Sequence, residues 1–218
     1  MIGKVSRYAA ETYTIAPGIN MKAAISSIWL VLGLSMGCLG GSTRALSLRP
    51  PRAGVVIRVL NPAEVPANTL HKAERMAASI LDAAGVVITW MECPCVPEVR
   101  SNEYWLHLLK NRPPRMHGDA TGFAVLMPDR DRAVSYAGAV WPVVEEVAHG
   151  LESEVSDVLG ATMAHEIGHI LLGSKAHTRS GVMRSRFERA EMRLAASGEL
   201  RFSPAQALRM QASVESRR

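Results

Sequence analysis

The sequence predicts an α/β domain, strand-rich in its first half and helical at its close. Three observations predict it: a strand-helix-strand pattern between Gly54 and Met91, further short β-branched or aromatic runs up to Trp141, and a long apolar helical stretch that stops at Gly173.

The run GVVIRVL, from Gly54 to Leu60, is short and β-branched, and Asn61 and Pro62 end it, so it reads as a buried strand. A helix follows, with apolar positions at Leu70, Met76, Ile80 and Leu81 and a stop at Gly85. The next strand is VVITWM, from Val86 to Met91; two strands joined by a helix should lie parallel through a right-handed crossover. Further strands are expected at Tyr104 to Leu109, Gly122 to Met127 and Ala133 to Trp141, with the turn between the last two at Asp129 to Arg132. A helix from about Glu154 to Leu172 comes next, and Arg186 to Ser213 reads as one or two helices broken at Gly198 and Pro204. No internal repeat or low-complexity linker divides the chain.

With 218 residues, 48% apolar and 21% charged, the composition is that of a globular protein, and it excludes disorder, collagen and a helical membrane bundle. Lys4, Arg7, Lys22 and Arg44 against Glu11 give the first 47 residues +3 of the chain's net +5, so the remainder carries only +2. Nine arginines lie beyond His177 and face Glu188, Glu191, Glu199 and Glu215, a pattern of a solvated helical tail; no nucleic-acid partner is expected.

From Met21 the chain reads as a secretory signal peptide: Lys22, an apolar run from Ala23 to about Met36, then small residues. The run is shorter than the roughly 20 residues that a spanning helix needs, so the mature chain is expected to lack a membrane span. Residues 1–47 are thus a leader whose true start is Met21, and residues 48–218 are one domain, exported to the periplasm or the medium. Cys38 would be the lipidated cysteine of a lipoprotein, but Ser35 stands where such a box carries Leu, and a soluble product is expected. Cys93 and Cys95, close in sequence, are assigned no catalytic role.

The chemistry lies in HEIGHILLGSKAH. His165, Glu166 and His169 form an HExxH pattern, of which random order predicts roughly 0.015 in a chain with 7 His and 15 Glu. On a helix, positions i and i+4 share a face, so both imidazoles can meet one ion while Glu166 leans over an open coordination position. The flanks Met163, Ala164, Ile167, Ile170, Leu171 and Leu172 are apolar almost all round, so the helix is buried, and a buried polar triplet must be satisfied. A metal satisfies all three residues together.

HEIGHILLGSKAH followed by SGVM, Ser180 to Met183, resembles the metzincin metallopeptidases. The resemblance implies a zincin-like fold, a mixed twisted sheet with an antiparallel edge strand packed on two helices. It implies one Zn2+ per chain held by His165, His169 and His177, Glu166 as general base, a chain reversal at Gly173, and Met183 as the Met-turn residue beneath the metal. It also implies that the edge strand receives a peptide or protein substrate; the candidate is Gly122, Phe123, Ala124 and Val125 within the strand from Gly122, and Arg184 and Arg186 are expected to border a side-chain pocket. The spacing departs from HExxHxxGxxH: Gly173 lies four residues after His169, and His177 eight after it. Glu188 or Glu191 remains an alternative third ligand, as in zincins of the glutamate type.

His71 and His107 are expected on a helix and a strand as ordinary side chains, His117 and His149 on loops near the cleft, and Trp90, Trp105 and Trp141 in the core. The expected function is an exported zinc endopeptidase, the alternative an exported zinc-binding module without turnover. Protein recovered outside the cytoplasm should begin just after Ala45 or Ser47. N-terminal mass spectrometry reads this directly, and a retained Met1 would refute the leader.

Overall fold

The computed structural model describes residues 53–92, 102–114, 116, 118–127 and 135–217. The leader with Cys38, the pair Cys93 and Cys95, His117 and the turn from Asp129 to Arg132 lie outside the described residues. The strands are β1 (Ala53–Leu60), β2 (Val86–Glu92), β3 (Glu103–Leu109), β4 (Gly122–Val125) and β5 (Tyr136–Val140). The helices are α1 (Ala67–Ala83), α2 (Trp141–Leu151), α3 (Val155–Leu172), α4 (Arg189–Ala196) and α5 (Pro204–Glu215).

The strands form one mixed sheet in the order β2-β1-β3-β5-β4. β1 pairs in parallel with β2 and β3, β3 pairs in parallel with β5, and β4 runs antiparallel along the outer side of β5. The α/β class, the mixed sheet and its antiparallel edge strand agree with expectation. Alternation along the strands sets the two faces. Val55, Ile57 and Val59 of β1 and Tyr104, Leu106 and Leu108 of β3 are buried in one core with α1 and α3.

Helix α3 is the centre of that core. Every residue from Val158 to Leu171 is buried, and fully covering side chains such as Leu159, Met163 and Ile167 contributes about 1.5–3 kcal/mol each. α1 crosses α3 where Gly160 stands: a Cβ there would lie 2.8 Å from the Ala73 carbonyl oxygen and 2.9 Å from the Met76 Cβ.

Three boundaries differ from the sequence expectation. β4 stops at Val125, and the Met127 N–H donates to Ser135 Oγ at 3.1 Å in place of a ladder bond. β5 stops at Val140, because Trp141 and Pro142 open α2, whose first turn tolerates a residue without an N–H. α2 was not expected, and it places His149 in a helix's last turn, not on a loop. Trp90 and Trp141 pack against the core, whereas Trp105 lies under the Arg58 guanidinium on the sheet's other face.

Gly160→Val should lower stability by about 1–3 kcal/mol, since backbone rather than a yielding side chain meets the new atoms. A urea midpoint equal to that of wild type would show that the crossing is looser than described.

Candidate metal centre

α3 carries His165 and His169 one turn apart, and both are almost fully buried, as is Glu166 between them in sequence. Gly173 ends the helix at φ +59°, a left-handed conformation that suits glycine. The Gly173 N–H donates to the Ile170 carbonyl and the Ser174 N–H to the His169 carbonyl, each at 3.2 Å. The reversal turns the Ser174 carbonyl back towards the helix, where it accepts the Nδ1–H of His169 at 2.7 Å.

The next loop does the same for His165. Gly181 turns the chain at φ +77°, and the Val182 N–H donates to the Arg201 carbonyl at 3.0 Å. The Val182 carbonyl is thereby set to accept the Nδ1–H of His165 at 2.7 Å. Only a protonated nitrogen donates to a carbonyl, so both rings carry their proton on Nδ1 and present a bare Nε2 lone pair.

Those lone pairs converge. The Nε2 of His169 lies 3.0 Å from that of His165 and 3.3 Å from that of His177, and the ligand atoms of all three lie within 4.8 Å of one another. Ligands at about 2.0–2.1 Å from a tetrahedral ion stand roughly 3.3 Å apart. A proton would serve poorly in place of the ion: burial above all, with the neighbouring imidazoles, pushes His165 down to about 4 despite its bond to Val182. Burial likewise lowers His169. The three imidazoles therefore fit a divalent cation and can bind one. Two of them are buried, while His177 is exposed.

Met183 packs on α3 beside His169, at Gly168. It is fully buried, and a Cβ at Gly168 would meet its Sδ at 2.8 Å and Phe202 at 2.7 Å, so a glycine on α3 admits both side chains against the helix. The Met183 carbonyl accepts from the Thr178 N–H at 2.7 Å, which closes the loop that carries His177.

Glu166 faces β4. A Cβ at Gly122 would lie 2.8 Å from the Glu166 Cγ and 2.8 Å from the Thr162 Cγ2, so the absent side chain lets the edge strand come down on the carboxylate. Burial pushes the Glu166 carboxyl up to about 8; a cation at the histidines would draw it back down. A cleft of about 520 Å³ runs between β4 and the loops beyond α3, with His165, Glu166, His169 and His177 in its floor and Gly122, Phe123 and Ala124 in its wall. All four β4 residues are half-buried, and Val125 lies outside the cleft lining. Arg184 and Arg186 also line the cleft, and Phe187 lies against the His165 ring at 5.8 Å.

Glu188 and Glu191 do not join the histidines. Glu191 bonds Arg184 at 2.8 Å and accepts the Glu188 N–H at 3.1 Å, which caps α4, and Glu188 also binds Arg184. Desolvation would raise the Glu191 carboxyl, but these donors overcome it and hold the group below its ordinary value. His71 is exposed beside Glu92, His107 lies half-buried against Tyr136, and His149 is exposed. Among the described residues no other trio of ligating side chains converges.

Sequence reasoning named the imidazoles and the carboxylate but missed the carbonyls of Ser174 and Val182, the glycines at 122 and 168, and the contribution of α2 to the cleft. Gly122 and Gly168 were readable only as glycines inside apolar elements, a weak sign of close backbone approach.

No family model matches the chain, and no curated protein does. Among solved structures it is similar to metalloproteinase-II from Bacteroides fragilis, with 12% identity and a TM-score of 0.45 over 74% of this chain. The chain spans about half of that longer protein, 53% of its length.

Titration with Zn2+ as probe should saturate at one ion per chain. Replacing His165, His169 or His177 by Ala should weaken binding by more than about 100-fold, since loss of an outer hydrogen-bond partner alone costs about 10–100-fold. Glu188→Ala and Glu191→Ala should leave affinity unchanged. A large loss in either glutamate variant, with His177→Ala unaffected, would transfer the third ligand to α4.

Proposed function

We propose that the chain is an exported, metzincin-like zinc endopeptidase. The observation that carries this reading is the meeting of three Nε2 atoms with the Glu166 carboxylate in one cleft beside a free strand edge. Three neutral imidazoles suit Zn2+ and leave a fourth position open, unlike a structural site, which is normally closed by a fourth protein ligand. Zinc held there would acidify a bound water to a pKa of about 7 and polarise the substrate carbonyl. The ring of Gly173, His177 and Met183 around the site supports the metzincin-like version over the glutamate type, in which Glu188 or Glu191 would be free to ligate.

The chain's own residues divide the remaining work. Among the described residues β4 pairs only with β5, so an extended peptide can add to its outer side as a further strand. Gly122 brings that strand close to Glu166, so the backbone that positions the peptide also positions its scissile carbonyl. Glu166 takes the proton of the attacking water and returns it to the departing amine. The apolar shell around Glu166 keeps bulk water from competing for that proton. The Nδ1–H bonds to Val182 and Ser174 hold the two helix imidazoles in the orientation that the reaction needs.

Export is supported by the leader that opens at Met21. Among the described residues no helix is long and apolar enough to cross a membrane. Several arginines beyond His177 are spent within the fold: Arg184 on Glu188 and Glu191, Arg189 on Glu152, and Arg209 on the Leu172 carbonyl. This favours a peptide over a nucleic acid as partner.

Glu166→Gln should reduce peptide hydrolysis by about 10²–10⁴ while zinc stays bound. A diverse peptide library digested by wild type and variant, with zinc measured in both, tests the mechanism. Equal cutting by both would remove Glu166 from it, and a wild type that holds zinc but cuts nothing would favour the binding module.

A further inference from the structure

We propose that the cleft carries a pocket for a basic substrate side chain, lysine or arginine, with Glu146 as its counter-charge. The proposal deepens the peptidase reading and rests on it for the peptide nature of the ligand. The pocket is the part of the cleft that α2 lines. Along α2, Glu146, Val147, Gly150 and Leu151 stand at i, i+1, i+4 and i+5, so they share a face, and all four line the cleft. A Cβ added at Gly150 would meet nothing within 4 Å, which leaves open room on that face. Thr162 and Glu166, one turn apart on α3, line the same cleft. The α2 face therefore opens on the cleft that holds Glu166 and the histidines.

Its walls and its charge point to one kind of side chain. Val147 and Leu151 are half-buried, and Phe187 lines the cleft with them. Glu146 is exposed on the same face. The cations on the opposite wall are already engaged: Arg184 holds Glu188 and Glu191, and Arg186 holds Asp119 at 2.6 Å. The third lining cation, Lys175, stands by the imidazoles, where its charge helps to lower His169. Among the described residues Glu146 has no ion-pair partner. A lysine or arginine lays its apolar stem along such walls and sets its cationic head at the carboxylate. An acidic side chain would meet Glu146 with like charge.

Because Glu146 is exposed, the preference should be modest, about three- to fivefold at low ionic strength, and should shrink with salt. The test uses peptides identical except for lysine, norleucine or glutamate at one position, moved along the peptide in turn. Binding to the zinc-loaded Glu166→Gln chain is read by fluorescence anisotropy, and cleavage by wild type is read in parallel. At one position lysine should bind about three- to fivefold tighter than norleucine, and glutamate weakest. Placing Glu146→Gln in the same background should abolish that ranking, and Glu146→Lys should reverse it. Gly150→Leu, with Glu146 intact, should weaken binding of every long side chain at that position. No position favouring lysine, or a preference that survives Glu146→Gln, overturns the pocket. A binding pattern as expected with no cleavage by wild type would uphold the pocket and count against the peptidase reading.

Discussion

Two imidazole lone pairs 3.0 Å apart inside an apolar helix are the constraint on which this structure depends. Neutral rings repel in that geometry, and the burial that keeps them neutral also denies them a bridging proton. A cation relieves the repulsion only if both rings keep their bare nitrogen turned inward, which requires an acceptor behind each ring. The chain provides those acceptors from its own backbone, at Ser174 and Val182, and much of what lies beyond Gly173 follows from the need to bring them there. The Gly173 reversal serves His169, and the turn at Gly181, braced by Arg201, serves His165.

The same economy of space governs the approach of neighbouring elements to α3. Its upper side meets β4 at Gly122, its lower side meets Met183 and Phe202 at Gly168, and in each case a Cβ would stand closer than 3.0 Å to an atom already in place. A helix that is apolar nearly all round has no solvated face to give up. The elements that surround it must therefore be cut to fit, and it is the sheet edge and the loops, more than the helix, that decide how the cleft is shaped.

How much of this was legible in the sequence follows from how local each feature is. His165, Glu166 and His169 are fixed by helix periodicity alone, and the apolar flanks gave their burial. The strand order of β1, α1 and β2 was equally local, and parallel pairing came with it. α2 was hidden because its Val-rich opening continues the β5 run without a break, and only Pro142 marks the change. The acceptors behind the imidazoles were unreadable for a different reason: every residue has a carbonyl, so which one turns towards a ring depends on the backbone path. β4 ended early because Ser135 takes the Met127 N–H, a contact across a loop that no periodicity encodes. Nothing in the sequence marks Glu146, because its place in the cleft depends on how α2 packs.

Every hydrogen bond and ligand contact of the three-histidine group falls within one stretch of chain, from His165 to Val182, and none spans more than 17 residues of sequence. Closing loops of that size takes far less time than pairing distant strands, so the contacts within the group are local, whereas the burial of α3 around them depends on the sheet. The members of the group are not independent of one another. One loop carries the exposed His177 and leads directly to the carbonyl behind His165, so the two share one backbone path. A cation held there would depend on the course of a single loop, the segment from Ser174 to Val182, which carries both acceptor carbonyls and the one histidine of the three that meets solvent.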